Sequence, residues 1–231
     1  MNIGIFAYNF PHWKTQIGIQ NLITAGHKPK VIMAADPVKL DFYQSKIRIT
    51  PKDLYLTHPK KISESFGIDY HVVKHNSEET SKIVSDYNLD IGIILGARIL
   101  KPIAFNNFNV GVINMHPGIL PANRGLDNVK WAIVDDLPQG VTAHLIDSSI
   151  DRGGLIKQEE IKIYQDDTLV DLNIRIQNLE QKLMIDSLDI LTKNFKTVSL
   201  GEGTYYKSLP EDIEQKLIEK FKGYKTKWSK K

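Results

Sequence analysis

Asn114 and His116 end the short β-branched run Gly111-Val112-Ile113, and Pro117-Gly118 prevents a strand from continuing past them. Alternation along a strand sends Asn114 and His116 to one side and Met115 to the other. An amide and an imidazole then project together beyond a strand's carboxyl end, where open α/β sheets bind ligands. Taken singly, His116 reads as a hydrogen-bonded structural histidine and Asn114 as a turn former. The pair points to a site.

A carboxylate follows 37 residues after Asn114, at Asp151. Gly140 to Asp147 reads as another buried strand, and Ser148 to Gly154 as the loop leaving it. Gly153 and Gly154 give that loop the backbone freedom to hold Asp151 inward. Alone, Asp151 reads as a helix cap or an exposed turn residue. Near an imidazole, its charge would stabilise the protonated ring.

These groups fit transfer of an acyl group to an amine. Asn114 can donate an N–H to the oxyanion of a tetrahedral intermediate, a contact that in a dry site lowers the barrier by about 3 to 4 kcal/mol. His116 can take the proton from the attacking nitrogen or, protonated beside Asp151, help to stabilise the oxyanion; the sequence leaves both roles open. Asp151 would hold one imidazole tautomer. With no cysteine and no serine beside a histidine in a hydrolase elbow, covalent catalysis is not expected.

The ordered stretches N-M-H-P-G-I-L-P-A-N-R-G, G-V-T-A-H-L-I-D and D-R-G-G-L-I, lying between about Asp90 and Glu160, resemble the signature of the folate-dependent formyltransferases. That family moves a formyl group from N10-formyltetrahydrofolate to an amine. The resemblance implies a catalytic triad of Asn114, His116 and Asp151. It also implies that the backbone of Arg98, Ile99 and Leu100 holds the pterin ring, that Ile119, Leu120 and Pro121 line the folate pocket, and that the loop through Asp147 and Ile150 closes over the pterin. A homodimer is expected on the same grounds. Asn123 departs from the family pattern, which often has an aromatic there.

The elements that must position these residues alternate along the chain. Asn2 to Tyr8 reads as a strand, Lys14 to Ala25 as a helix ended by Gly26, and Lys30 to Ala35 as a strand. Tyr70 to Val73 and Asp90 to Leu95 read as strands on either side of a helix over Ser77 to Tyr87, capped by Ser77. Val129 to Val134 reads as helical and Leu155 to Tyr164 as extended. Thr168 to Lys193 is a long helix with Leu169, Leu172, Ile176, Leu179, Leu183 and Ile190 on one face. The pattern predicts an α/β fold, a Rossmann-like, mostly parallel sheet with helices on both sides. Residues 38 to 69 carry no clear signal. The expected division is a catalytic domain over 1–195 and, over 196–231, a small C-terminal β-hairpin with a basic helix or tail.

The first strand leads into Tyr8, Asn9, His12 and Trp13 without G-x-G-x-x-G, which argues against a nicotinamide dehydrogenase. Lying before a helix amino terminus, these four are candidates for holding the acceptor, although Phe10 and Trp13 read equally as packing. The 231 residues, 42% hydrophobic, suffice for one α/β core plus a small appendage. Zero cysteines exclude disulfides and thiolate metal sites, and the seven histidines show no H-E-x-x-H spacing, so no metal is expected. Neither a membrane-spanning run nor a cleavable leader is apparent, and a cytoplasmic enzyme is expected. Lys216 to Lys231 holds seven lysines and one glutamate, a local +6 against +3 for the whole chain. Without a motif of interleaved aromatics it reads as a solvated terminal helix, and no nucleic-acid partner is expected.

The 36 residues after 195 are too few for the carboxyl-terminal barrel of the methionyl-tRNA members of the family. Lys196 to Lys207 reads instead as a β-hairpin turned at Gly201-Glu202-Gly203. With G-T-Y-Y-K it resembles the sugar N-formyltransferases, which act on nucleotide-linked amino-dideoxy sugars, above all the dTDP-4-amino-4,6-dideoxyglucose type of O-antigen and lipopolysaccharide synthesis. That resemblance implies Arg124, Tyr205 and Tyr206 at the acceptor, where Tyr205 or Tyr206 could stack on the nucleotide base, although the hairpin reads equally as purely structural. The alternatives are a glycinamide ribonucleotide formyltransferase of purine synthesis and a non-catalytic nucleotide-binding α/β module. The full set of Asn114, His116 and Asp151 counts against the module.

Overall fold

The protein has an α/β fold with a mostly parallel sheet, seen in a computed structural model that describes residues 1–39, 41, 43–193 and 195–230. Its chain gathers into two units, one of Met1–Lys39, Leu54–Asn114 and Leu145–Ser148, the other of Leu40–Asp53, Met115–His144 and Ser149–Lys231.

The first unit runs β1 (Ile3–Tyr8), α1 (Trp13–Thr24), β2 (Val31–Ala35), α2 (Pro59–Phe66), β3 (Asp69–Val72), α3 (Glu78–Asp86), β4 (Ile91–Ile94), α4 (Pro102–Phe105) and the first four residues of β5 (Gly111–His116). The strands lie in the order β3-β2-β1-β4-β5, and each neighbouring pair is parallel. Ile-Gly-Ile-Phe-Ala in β1 and Val-Ile-Met-Ala in β2 are buried without alternation, as expected of parallel strands covered on both faces. Phe6, Val31, Met33, Ile83, Leu100, Phe108 and Val112 form one core cluster of this unit. The expected Ser77 cap is present: its hydroxyl accepts from Thr80 N at 3.3 Å, and Glu78 and Glu79 add charge favourable to a helix start.

The second unit holds the end of β5, then β6 (Arg124–Gly125), α5 (Asn128–Val134), β7 (Gly140–Leu145, all but its last residue), β8 (Gly154–Glu160), α6 (Leu169–Leu191), β9 (Val198–Ser199), β10 (Tyr205–Tyr206) and α7 (Glu211–Trp228). Here the strand order is β5-β7-β8-β9, with β6 and β10 in a separate two-stranded sheet. A capping box of Thr168 and Asp171 starts α6. Its buried face carries Leu172, Ile176, Leu183, Met184 and Leu188; Leu179 and Ile190, expected on that face, flank it half-buried.

The structure corrects the expected hairpin over 196–207. β9 pairs antiparallel with β8, Leu155 opposite Val198, while β10 pairs parallel with β6, Tyr205 opposite Arg124. Arg124 N donates to Thr204 O and Leu126 N to Tyr206 O, so the backbone after Gly203 finds its partners in 124–126 rather than in 196–199. Gly203 permits this: a Cβ there would lie 1.8 Å from Pro121 O.

Part of the stretch without a sequence signal also finds a partner. Glu214 on α7 accepts from Tyr43 OH at 3.1 Å and from Lys46 N at 2.7 Å, and Ser208 Oγ donates to Tyr43 O. α7 buries Leu217 and Tyr224, and several lysines of the basic run have partners: Lys225 donates to Asp167 O, Lys220 to Val134 O, and Lys227 pairs with Asp136. Lys231, the last of that run, lies outside the described residues.

Gly92 on β4 faces Val112 on β5, and a Cβ would lie 2.8 Å from the Val112 Cγ2 and 2.9 Å from the Phe108 ring. Gly92→Ala is therefore expected to lower stability by about 1 to 3 kcal/mol, read from the urea midpoint, because the added methyl overpacks this core.

Candidate active site

β5 delivers Asn114, half-buried, then Met115 and His116, both buried. Beyond it the chain turns at Gly118 and returns past His116, whose Nε2 lies 2.7 Å from the carbonyl of Asn123. A carbonyl can only accept, so Nε2 carries a proton. The other ring nitrogen, Nδ1, lies 3.6 Å from Asp151 Oδ1, with the two side chains 4% and 13% exposed. That is an ion-pair distance, too long for a direct hydrogen bond. In the neutral ring the Nδ1 lone pair faces the carboxylate side; in the protonated ring both N–H groups face acceptors.

The Asn123 carbonyl is itself held. Asn128 Nδ2 donates to it at 3.0 Å, and Asn123 Nδ2 donates to Asn128 O at 2.9 Å. A Cβ on residue 118 would lie 2.7 Å from Asn123 O and 3.2 Å from His116 Nε2, so Gly118 makes the approach possible. Thr142 on β7 fixes the turn between: its hydroxyl donates to Gly118 O at 2.7 Å and accepts from Leu120 N at 3.1 Å and Gln158 Nε2 at 2.8 Å. Gln158 also donates to Leu120 O at 2.9 Å. Sequence reasoning missed Asn123, Asn128, Thr142 and Gln158 in this role. Thr142 stands in the quoted G-V-T-A-H-L-I-D stretch, a hydroxyl at the centre of an apolar strand, and that was the one signal present.

Asp151 has a left-handed backbone, φ 53°, and its Oδ2 accepts from Gly125 N at 2.9 Å. Ile150, 38% exposed, offers its carbonyl to the Arg124 guanidinium. Of the folate-pocket candidates, Leu120 is buried and Ile119 and Pro121 are half-buried. Arg124, expected at the acceptor, lies over the Tyr205 ring, 5.7 Å from its centroid. Tyr206 stacks on Trp131 with centroids 4.9 Å apart and donates its hydroxyl to Asp135, which, after burial, helps push its pKa up to about 12. Tyr205 is the exposed member of the pair.

The remaining candidates belong to the first unit. Asn9 donates to Asp36 and accepts from Tyr70 OH, each at 2.7 Å. Tyr8 stacks on Phe10 and donates to Ala97 O; Trp13 opens α1. Leu100 is buried in the core, whereas Ile99 is exposed and its carbonyl accepts from Asn76 Nδ2 at 2.9 Å. Asp147, near the end of this unit's last segment, and Arg98 are both exposed. No group of three or more metal-ligating side chains occurs among the described residues, and no described helix is long and apolar enough to cross a membrane.

A family model described as formyl transferase matches residues 11–188. The chain belongs to the formyl transferase family. A methionyl-tRNA formyltransferase from Chlorobium chlorochromatii is 30% identical over 141 residues, 60% of this chain and 45% of that protein. The chain spans about half the length of such relatives. Among solved formyltransferases, one from Anoxybacillus kamchatkensis in complex with UDP-4,6-dideoxy-4-formamido-L-AltNAc and tetrahydrofolate is 27% identical, with a TM-score of 0.54 over 78% of this chain and 91% of that one. A phosphoribosylglycinamide formyltransferase from Bacillus halodurans shares the fold, with a TM-score of 0.64 and 22% identity over 84% of this chain and 97% of its own. Solved formyltransferases of different names therefore share this architecture, and the fold alone does not choose an acceptor.

His12 titrates abnormally. Burial foremost, then the charge of Lys14, takes it from its ordinary 6.5 down to about 4 against the opposing pull of the Leu95 carbonyl. Its Nδ1 donates to Thr15 Oγ1 at 3.0 Å, since that hydroxyl is already donating to Leu95 O. The folded value lies below the unfolded one, so acid protonates the unfolded chain first. The contribution of the neutral ring is full above about 6.5 and is lost as pH falls toward about 4. His12→Gln is expected to flatten this loss, measured as a smaller drop in urea midpoint between roughly pH 7 and pH 4.5 than in the unaltered protein.

Proposed function

We propose that this chain transfers a formyl group from N10-formyltetrahydrofolate to the amine of a nucleotide-linked amino-dideoxy sugar. The observation that carries group transfer is the orientation of His116, with Nε2 committed to a backbone carbonyl and Nδ1 on the side of Asp151, two residues after Asn114 on the same strand.

In this reading the neutral amine attacks the formyl carbon, a C–N bond forms and the carbonyl electron pair moves to oxygen. The Asn114 amide N–H donates to that oxyanion. His116 Nδ1 takes the proton from the attacking nitrogen while Asp151 balances the imidazolium. Collapse restores the carbonyl, breaks the bond to N10 and returns the proton from Nδ1 to N10, releasing tetrahydrofolate and a formamide. Backbone groups of Arg98, Ile99 and Leu100, the Ile119-Leu120-Pro121 turn, Asp147 and Ile150 are the proposed folate contacts. The fixed Leu120 N–H and carbonyl suit that use, being already tied to Thr142 and Gln158.

The sugar-nucleotide acceptor, with dTDP-4-amino-4,6-dideoxyglucose as first candidate, is supported by the 27% identity to the formyltransferase that binds a UDP-linked formamido sugar. Tyr8, Asn9, His12 and Trp13 are its proposed contacts in the first unit. In the second, Tyr205 has the exposed ring for a base to stack on, whereas Tyr206 is taken up by Trp131.

His116→Ala or Asn114→Ala should cut kcat by about a hundredfold or more with KM for both substrates nearly unchanged. Asp151→Asn should lower the rate and move the acid limb of the pH–rate profile to lower pH, because the imidazolium loses its counter-charge. A full rate with an unchanged profile in all three sinks the mechanism.

The acceptor is tested by offering dTDP- and UDP-linked aminosugars, glycinamide ribonucleotide and methionyl-tRNA and following tetrahydrofolate release. Turnover with aminosugar nucleotides and a KM for them raised roughly three- to tenfold in Tyr205→Ala are expected. Efficient use of glycinamide ribonucleotide or methionyl-tRNA with none of the sugars replaces the acceptor assignment.

A further inference from the structure

We propose that Arg124 is the positioning residue for Asp151, acting on the reaction through that carboxylate rather than by binding the acceptor. The inference rests on reading Asp151 as the partner of His116 in formyl transfer.

The guanidinium grips the peptide group that leads into Asp151. Arg124 Nη2 and Nε both donate to Ile150 O, at 2.6 and 3.2 Å, and Nη1 donates to Gly203 O at 3.3 Å. One residue on, Gly125 N donates to Asp151 Oδ2 at 2.9 Å. The two residues of β6 therefore hold both the backbone immediately before Asp151 and the carboxylate itself. One oxygen of that carboxylate is thus tied down by a main-chain donor, and the other is left facing His116 Nδ1 at 3.6 Å.

This grip falls where the backbone needs it. At φ 53° Asp151 occupies the left-handed region, which residues with a Cβ visit at a cost and which relaxes unless the surroundings hold it. Asp151 φ turns the Ile150 carbonyl relative to the carboxylate, so fixing that carbonyl fixes the direction of the side chain. An arginine is well suited here, because several N–H groups in a rigid plane bind two carbonyls at once and its charge persists at every pH at which His116 titrates.

Arg124 is braced in turn by the C-terminal strand. Its N donates to Thr204 O at 3.1 Å, Leu126 N donates to Tyr206 O at 2.9 Å, and the Tyr205 ring lies beneath the guanidinium. The contact is close: Gly125 has φ 97°, and a Cβ on it would lie 2.0 Å from Tyr206 O. β10 thus reaches the catalytic carboxylate through one side chain, without supplying a group to the reaction.

Kinetics and proton NMR of the full chain test this. Arg124→Ala should lower kcat roughly a hundredfold while KM for N10-formyltetrahydrofolate and the acceptor stays within about threefold. The acid limb should move in the same direction as in Asp151→Asn, and the double variant should be no slower than Asp151→Asn alone, since both changes remove one function. Arg124→Lys, which can reach one carbonyl but not both, should recover part of the rate and keeps the test open if the alanine variant does not fold. Without substrate, the His116 ring resonances should titrate in Arg124→Ala as they do in Asp151→Asn. A raised acceptor KM at unchanged kcat, multiplicative losses in the double variant, or an unaltered His116 titration overturns the inference. If Asp151→Asn keeps full activity while the His116 titration still follows Arg124, the positioning stands and the catalytic reading of Asp151 falls instead.

Discussion

The hydrogen bond from His116 Nε2 to the carbonyl of Asn123 commits one ring nitrogen to the scaffold and turns the other, Nδ1, to the side of Asp151. A histidine with both nitrogens free can flip its ring or exchange tautomers; one whose Nε2 must donate has a single neutral form and a single basic atom. The turn between residues 117 and 123 exists in its present shape to keep that carbonyl in place. Gly118 leaves room for it, Thr142 binds the turn on both sides, and Gln158 adds a second tie to Leu120. The two Thr142 bonds are made away from bulk water, where an unmatched polar group costs about 1 to 3 kcal/mol. The turn is therefore rigid because its alternatives would strand buried donors and acceptors.

Asp151 answers a different requirement. In the proposed reaction a negative charge must stand beside a nearly buried imidazole without bonding to it so tightly that no proton can be exchanged. The 3.6 Å separation meets that need, and a main-chain N–H on the far oxygen limits how far the carboxylate can close. Electrostatic attraction inside a protein is stronger than in water, so small displacements of the charge alter the proton affinity of the ring appreciably. A rigid support for Asp151 is thus part of setting the basicity of His116.

The β-branched run was enough to put Asn114 and His116 on one strand, and the interruption by Pro117-Gly118 marked where that strand ends. Long apolar runs likewise revealed β1, β2 and β4, and Ser77 its helix. What stayed hidden depended on main-chain atoms or distant partners. No residue type announces that the carbonyl of position 123 will face a histidine. The two-residue strands β9 and β10 have no period of their own, and their neighbours along the chain suggested a hairpin, but their partners lie in β8 and β6, the latter some 80 positions earlier. The segment around Tyr43 and Lys46 is silent in sequence because its order comes from Glu214, 171 and 168 residues away. Tyr205 and Tyr206 look alike in the sequence; only the presence of Trp131 beside one of them separates a packing residue from an exposed ring.

Asn123 stands where the resemblance leads one to expect an aromatic; its Nδ2 donates to the main-chain carbonyl of Asn128, and Asn128 Nδ2 donates both to the main-chain carbonyl and to Oδ1 of Asn123. Both side chains are buried, so neither can be exchanged alone without leaving a donor or an acceptor of the other unmatched. An aromatic at 123 would forfeit the bond to Oδ1 yet keep the Asn128 Nδ2 bond to the main-chain carbonyl, whereas loss of Asn128 removes that support, so in a comparison of many such chains 128 should vary less than 123.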